Sequence, residues 1–229
     1  MILMLGQAVL TLALYVFGAV VIGTALVPGV WLCYVLWLAT ADWSVALRLW
    51  AVCVAGAGAY FVFGLSLLLV TWLMRLLFGL RLKEGTHPMA SLETIRWMVS
   101  NALQLVVWST FGDFLLLTPF AALFYHLMGA KLGRNVQINS AFCADLELLE
   151  IGDGSIIGGH ATVIAHAFEP AGLILKRVKI GRHVVVGLNA VILPGADIGD
   201  GAVIAAGAIV PKHTVIPPGT VYLGAHARN

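Results

Sequence analysis

Charged residues are scarce in this sequence and almost absent from its first third. The chain has 229 residues with 13 Lys and Arg and 11 Asp and Glu, a net charge of +2. Only Asp42 and Arg48 are charged among residues 1–74. So small a net charge argues against a nucleic-acid-binding surface, and 61% hydrophobic residues exceeds the roughly 45–50% of ordinary soluble domains. The composition predicts a membrane part followed by a more polar part.

Cysteine and N-terminal basic residues are also rare. Cys33, Cys53 and Cys143 lie far apart without metal-ligand spacing, so we expect buried free thiols. No basic segment precedes the first apolar run, which continues well beyond the length of a signal peptide. The N-terminus therefore reads as a membrane anchor.

Two long apolar segments are expected to form helices. Residues 3–27 carry no charge and are long enough to cross about 30 Å of hydrocarbon. Pro28 and Gly29 are expected to end this helix, leaving residues 30–40 as a short re-entrant helix or half of a second span. Residues 45–78 predict a second long helix.

Two further helices follow, one of them amphipathic. Residues 92–108 place their apolar side chains on one face, which suits the membrane interface. Residues 111–128 predict another apolar helix, and the number of crossings stays open. Arg75, Arg81 and Lys83 follow the second long helix, and basic residues at membrane ends favour the cytoplasmic side. We therefore expect the rest of the chain in the cytoplasm.

The C-terminal part contains a six-residue repeat. A large aliphatic residue recurs in strict register up to Tyr222, with a small or aliphatic residue two positions before each. Between Val163 and Ile180 the register is interrupted by one repeat plus an eleven-residue insertion, with His166 at its start. Such a repeat is typical of a parallel β-helix, in which residues eighteen apart stack. The aliphatic ladder consists of Ile151, Ile157, Val163, Ile180, Val186, Ile192, Ile198, Ile204, Val210 and Ile216.

Residues 180–219, with LGAHAR at 223–228, resemble the hexapeptide-repeat acyltransferases. The chain resembles more closely the membrane-anchored hexapeptide region of nonribosomal-peptide-synthetase-like proteins. This resemblance is carried by residues 118–136, His166-Ala167-Phe168-Glu169 and residues 176–181. The resemblance implies an α+β membrane protein, with transmembrane and interfacial helices in residues 1–129 and a left-handed parallel β-helix in residues 130–229. It also implies a homotrimer and an acyl-CoA, usually acetyl-CoA, as co-substrate, without a metal.

The resemblance further assigns candidate site residues. His166 would act as general base on the acceptor, since a neutral imidazole accepts a proton near pH 7, and Glu169 would orient it. Asn189 and His183 are candidate acceptor contacts, Asn189 across a subunit boundary. The residues expected to bind CoA are Ala205, Ala206, Gly207, Lys212 and Arg228.

These features together predict a membrane-anchored CoA-dependent O- or N-acyltransferase in the cytoplasmic membrane of a bacterium. Its acceptor would be a lipid, a lipid-linked saccharide or a peptide. The alternative is a non-catalytic trimeric scaffold that recruits a peptide synthetase or another partner. A zinc site at His160, His166 and His183 is disfavoured, because His160 and His166 are six apart and fall on adjacent faces of one coil.

Overall fold

The computed structural model describes residues 2–224, with only the backbone given for residues 2–5 and Gln7. These residues form two compact units. One comprises residues 1–78 with 102–111, and the other comprises residues 79–101 with 112–229.

The first unit is built on two long helices, α1 (Ile2–Ala39) and α2 (Val45–Leu77). The predicted break at Pro28 and Gly29 is wrong, because α1 continues through both residues. Proline is tolerated inside apolar helices where neighbouring groups satisfy the freed backbone, and a methyl group on Gly29 would lie 2.8 Å from the carbonyl oxygen of Ala59. The helix thus continues past Pro28 at the point where α1 and α2 approach each other closely. By length and composition, 8–39 and 45–77 could each cross a membrane.

Two shorter helices are α3 (Leu92–Thr110) and α4 (Pro119–Leu127). The predicted helix over residues 92–108 is confirmed, and its place at the membrane interface stays a prediction. The Ser91 hydroxyl accepts the Thr94 N–H at 3.2 Å as an N-terminal cap. A continuous helix over 111–128 is wrong: a 3₁₀ turn (Gly112–Phe114) precedes a bend at Leu117, whose φ is +59°. Pro119 then starts a new helix, at the first position where proline is favoured.

The second unit contains the predicted parallel β-helix. Val185 pairs with Val203 and Val191 with Ile209, each eighteen residues on, so every third repeat stacks. Across the insertion Ile156 pairs with Val185, twenty-nine residues on, which is eighteen plus the predicted eleven. The strands are β1 (Gly85–His87), β2 (Lys131–Leu132), β3 (Gln137–Ile138), β4 (Leu149–Ile151), β5 (Ile156–Ile157), β6 (Thr162–Val163), β7 (His166–Glu169), β8 (Gly172–Leu175), β9 (Val178–Ile180), β10 (Val185–Val186), β11 (Val191–Ile192), β12 (Asp197–Ile198), β13 (Val203–Ile204), β14 (Ile209–Val210), β15 (Val215–Ile216) and β16 (Val221–Tyr222).

The strands of the coil form three faces. Face I contains β2, β4, β9, β12 and β15; face II contains β3, β5, β10, β13 and β16; face III contains β6, β11 and β14. The ten aliphatic ladder residues from Ile151 to Ile216 are all buried between the faces. This interior is the core of the unit; the left-handed sense of the coil stays a prediction.

The eleven-residue insertion forms a β-hairpin. Strands β7 and β8 pair antiparallel, and β8 also pairs with β1, which lies far upstream before α3. The Lys176 N–H donates to the Ala165 carbonyl at 2.8 Å and closes the base of the hairpin. The register break therefore produces a three-stranded sheet that begins at His166.

Candidate functional site

His166 lies at the corner between faces III and I, where the hairpin leaves the coil. Its Nδ1 is 2.6 Å from Oδ2 of Asp145. The imidazole is 21% exposed, whereas the Asp145 side chain is fully buried. Because a carboxylate only accepts hydrogen bonds, Nδ1 carries the proton, and Nε2 is then the basic ring nitrogen. This tautomer suits a general base at Nε2.

Asp145 sits at a strained position and accepts several donors. Its φ is +57°, a left-handed conformation that Asp tolerates better than most residues. Oδ2 also accepts the Ala165 N–H at 2.9 Å. Oδ1 accepts the Trp97 indole N–H at 2.7 Å and Nδ2 of Asn101 at 3.3 Å. Both oxygens of this buried carboxylate therefore accept hydrogen bonds.

Three aromatic rings cluster at this corner. The Trp97 ring centroid is 4.9 Å from that of His166 and 5.4 Å from that of Phe168. Phe168, on β7, is 55% exposed, whereas Trp97 is 9% exposed. The Phe168 ring centroid is 5.9 Å from that of His166, so each of the three rings lies beside the other two.

Glu169 contacts a different predicted site residue. Its Oε1 is 2.7 Å from Nζ of Lys212, and both side chains are partly exposed. The carboxylate that contacts His166 is that of Asp145, so the structure gives Glu169 a different partner from the expected one. Glu169 and Lys212 instead join the hairpin to the corner two coils further along.

The residues expected to contact CoA and acceptor are distributed over the three corners. Asn189 and Ala206-Gly207 stack at the corner between faces II and III, where the Gly207 N–H donates to the Leu188 carbonyl at 2.8 Å. Ala205 lies at the start of the same turn. His183 lies at the corner between faces I and II. Arg228 lies outside the described residues.

The corner geometry explains why polar residues occur at two of these positions. His183 and Asn189 have φ values of +52° and +56°, and glycines with positive φ occupy the equivalent corners at Gly201 and Gly207. Asn and His enter this left-handed region more readily than most residues. Backbone conformation alone therefore accounts for both residue types, and their acceptor-binding role stays a prediction.

Comparison with known sequences identifies the repeat. Residues 177–212 match the family model described as "Hexapeptide repeat of succinyl-transferase". The chain carries a hexapeptide repeat. Among curated proteins none matches, so the likeness to synthetase-associated regions stays a prediction.

The solved structures similar to this hexapeptide-repeat chain include acetyltransferases. A maltose O-acetyltransferase from Clostridium difficile 630 is 32% identical over 38% of this chain and 50% of its own, with a TM-score of 0.34. A galactoside acetyltransferase in complex with coenzyme A is 27% identical over 42% and 62%, with a TM-score of 0.34. An acetyltransferase from Vibrio cholerae O1 biovar eltor, complexed with acetyl coenzyme A, is 20% identical over 64% and 90%, with a TM-score of 0.41. The chain thus spans half the length of the maltose O-acetyltransferase.

Sequence reasoning missed Asp145, Trp97 and Asn101. Asp145 lies in the coil where the repeat slips by one residue, since Leu132 pairs with Ile151 nineteen positions on. A carboxylate inside an irregular coil, between Ala144 and Leu146, is the signal that could have identified it. Trp97 and Asn101 are four apart on one face of α3, and nothing in the sequence indicates which strand that face contacts.

Proposed function

We propose that the chain is a membrane-anchored acyltransferase that moves an acetyl or other short acyl group from an acyl-CoA to a hydroxyl or amine of a membrane-associated acceptor. The observation that carries this proposal is the contact of His166 Nδ1 with the buried Asp145 carboxylate, 2.6 Å long, at the base of the hairpin in a hexapeptide-repeat coil. The pair supplies the base that acyl transfer from a thioester requires.

The proposed reaction uses His166 twice. Nε2 accepts the proton of the acceptor hydroxyl or amine as its oxygen or nitrogen bonds to the thioester carbonyl carbon. The imidazolium formed is stabilised by Asp145 at Nδ1, as in other base–carboxylate pairs. When the tetrahedral intermediate collapses, the carbon–sulfur bond breaks and Nε2 returns the proton to the CoA thiolate.

The acyl donor would lie along the last coils of the repeat. Small residues at Ala205, Ala206 and Gly207 allow a close approach of pantetheine to the backbone. Lys212 would contact a phosphate of CoA. Because Lys212 is paired with Glu169 at 2.7 Å, this carboxylate would compete with the phosphate for the ammonium group.

The membrane anchor would be α1 and α2, each long and apolar enough to span a bilayer. Arg75 lies in the last turn of α2, and Arg81 and Lys83 follow the helix, which favours the cytoplasmic side for the β-helix. In this arrangement residues 1–129 hold the protein in the membrane and residues 130–229 form the transferase domain. The acceptor would then be a lipid, a lipid-linked saccharide or a peptide at the membrane.

Face II provides a surface for a homotrimer. One outward side chain from each of four successive coils is apolar and at least 37% exposed. A second copy would remove this column from water, which is favourable. The column consists of Ile156, Val185, Val203 and Val221.

Full-length protein in lipid nanodiscs tests the reaction. Thiol release from acetyl-CoA is measured with soluble hydroxyl and amine acceptors and with a bacterial lipid extract. His166→Asn is expected to lower kcat by about 10²–10⁴, the usual contribution of a general base. His213→Asn is the matched control, because it makes the same change at the same corner of the coil, two coils further along, where asparagine tolerates the φ of +57°, and it should retain wild-type kcat. Equal rates for the two variants would refute the base, whereas no acceptor-dependent thiol release from the wild-type protein would favour the scaffold alternative.

Calorimetry with CoA tests the donor site separately. Lys212→Ala is expected to weaken CoA binding by about tenfold or less, as for a partly exposed charge pair. Glu169→Gln should strengthen it, because the competing carboxylate is removed. CoA binding that is undetectable in the wild-type protein and in both variants would overturn the CoA assignment.

A further inference from the structure

The N-terminal half of α3 contributes one side chain that contacts both members of the His166–Asp145 pair. The Trp97 indole N–H donates to Oδ1 of Asp145 at 2.7 Å, and its ring lies 4.9 Å from the imidazole at an interplanar angle of 60°. We propose that Trp97 is a positioning residue that fixes the orientation and tautomer of His166. This inference rests on the proposed function for its kinetic consequence, but its structural consequence is independent of it.

The hydrogen bond determines how the carboxylate faces the imidazole. Oδ2 is shared between His166 Nδ1 and the Ala165 N–H, so its place depends on the plane of the carboxylate. The torsion that sets this plane is broad and two-fold in an isolated Asp side chain. A donor at 2.7 Å on Oδ1 removes that freedom, and since Asp145 is fully buried, no water would replace it.

Asn101 is a weaker support for the same oxygen. Its Nδ2 is 3.3 Å from Oδ1 and 3.1 Å from the carbonyl of Trp97 itself. The amide is therefore shared between two acceptors, whereas the indole N–H has the shorter contact with Asp145. Trp97 is the dominant donor to Oδ1.

The ring of Trp97 has a second effect. A cation over the face of an aromatic ring, within about 6 Å of its centroid, is attracted electrostatically, and the two centroids lie within that distance, 4.9 Å apart with the rings tilted by 60°. His166 becomes an imidazolium only after it has accepted the acceptor's proton. The indole would therefore stabilise the transition state more than the resting enzyme, which lowers the barrier rather than the KM.

Trp97→Phe separates these effects, because phenylalanine retains an aromatic ring but has no N–H. Trp108→Phe is the matched control, since it makes the same change on the same helix. Both are studied in full-length protein in nanodiscs labelled with ¹⁵N-histidine, in which the His166 resonances are assigned from their loss in His166→Gln. Wild type and Trp108→Phe should show His166 protonated at Nδ1, and Trp97→Phe should show a mixture of tautomers.

The kinetic readout accompanies the spectra. Trp97→Phe is expected to lower kcat about tenfold, equivalent to about 1.4 kcal/mol, while KM for acetyl-CoA stays within about twofold because no CoA contact is changed. An unchanged tautomer in Trp97→Phe would overturn the proposal, and so would a change of equal size in Trp108→Phe. If wild type transfers no acyl group but Trp97→Phe alters the tautomer, the proposed function fails and the positioning role stands.

Discussion

Replacement of Asp145 by asparagine changes a single atom in a fully buried site and should destabilise the second unit. The two carboxylate oxygens together accept four donors: Ala165 N–H and His166 Nδ1 on Oδ2, Trp97 Nε1 and Asn101 Nδ2 on Oδ1. An asparagine amide has one oxygen and one NH₂ group. Whichever side the NH₂ takes, it faces donors.

The size of this destabilisation follows from whichever of the two orientations of the asparagine amide costs less free energy. With the NH₂ group towards His166, the imidazole can change tautomer so that Nδ1 accepts a hydrogen bond from the amide. The Ala165 N–H is then left facing the same NH₂ group, which is also a donor. Hydrogen bonds to charged groups contribute about 1.5–3 kcal/mol each, and the bonds that remain to Trp97 and Asn101 weaken to neutral ones. Removing a buried charge offsets part of this loss. We expect a net loss of about 2–3 kcal/mol in the free energy of unfolding.

Thermal unfolding of full-length protein in nanodiscs, followed by tryptophan fluorescence, measures this effect. For a chain of this size 1 kcal/mol shifts Tm by about 2–4 °C, so Asp145→Asn should melt about 5–10 °C below wild type. Asp197→Asn, the same change at an exposed position of face I, should melt within about 2 °C of wild type. Equal Tm values for the two variants would show that the donor network around Asp145 does not hold the fold.

The coil itself gives three more expectations. Ile192→Ala, at a fully buried ladder position, should lower the free energy of unfolding by about 2–5 kcal/mol. Val215→Ala, at a position that is 73% exposed, should lower it by less than about 0.5 kcal/mol. Equal Tm shifts for the two variants would contradict the assignment of the ladder as the core. Burial raises the pKa of the Cys143 thiol to about 11, so the folded state keeps a proton that the unfolded state loses above about pH 8.5. Stability should therefore fall from about pH 9 to pH 11, and a Cys143→Ala variant with an equally steep decline would exclude this thiol as its cause. Val203→Lys on face II should convert a trimer to monomers in light scattering, and Val215→Lys on face I should not; a trimeric Val203→Lys variant would exclude face II as the interface.

The repeat could be predicted from sequence because its period determines which side chains point inwards. Because the large aliphatic residues keep one register, they determine the pairing of Val185 with Val203 and also the pairing of Ile156 with Val185 across the insertion. The pairing of the hairpin with β1 could not be predicted, since no local pattern links residues 85–87 to a strand that lies almost ninety residues later.

The helical part was predicted less well for a related reason. Pro28 and Gly29 predict the end of a helix, but α1 continues through both residues where Gly29 lies close to Ala59 of α2. The apolar run of residues 111–128 does not indicate the bend at Leu117, where φ is +59° and the backbone N–H donates to the Ile138 carbonyl at 3.1 Å. In both cases a segment distant in the sequence lies where the local pattern fails.

The candidate site, too, could be predicted only in part from the sequence. His166 could be found because it stands where a regular register is interrupted. Its partner Asp145 could not, because a buried carboxylate is unfavourable unless several donors surround it, and these donors come from two segments that are distant from it in sequence. A pattern within one segment does not show them.

The pairing of β8 with β1 has a consequence for how this protein can be divided. A fragment that begins at residue 130 would retain every coil of the repeat but lose β1, Trp97 and Asn101. Strand β8 would then present an open edge, which invites aggregation, and Asp145 would be buried with two fewer donors. The exchangeable module, in the laboratory or by gene fusion, is therefore the coil together with residues 79–101 and 112–129, which is larger than the sequence repeat alone.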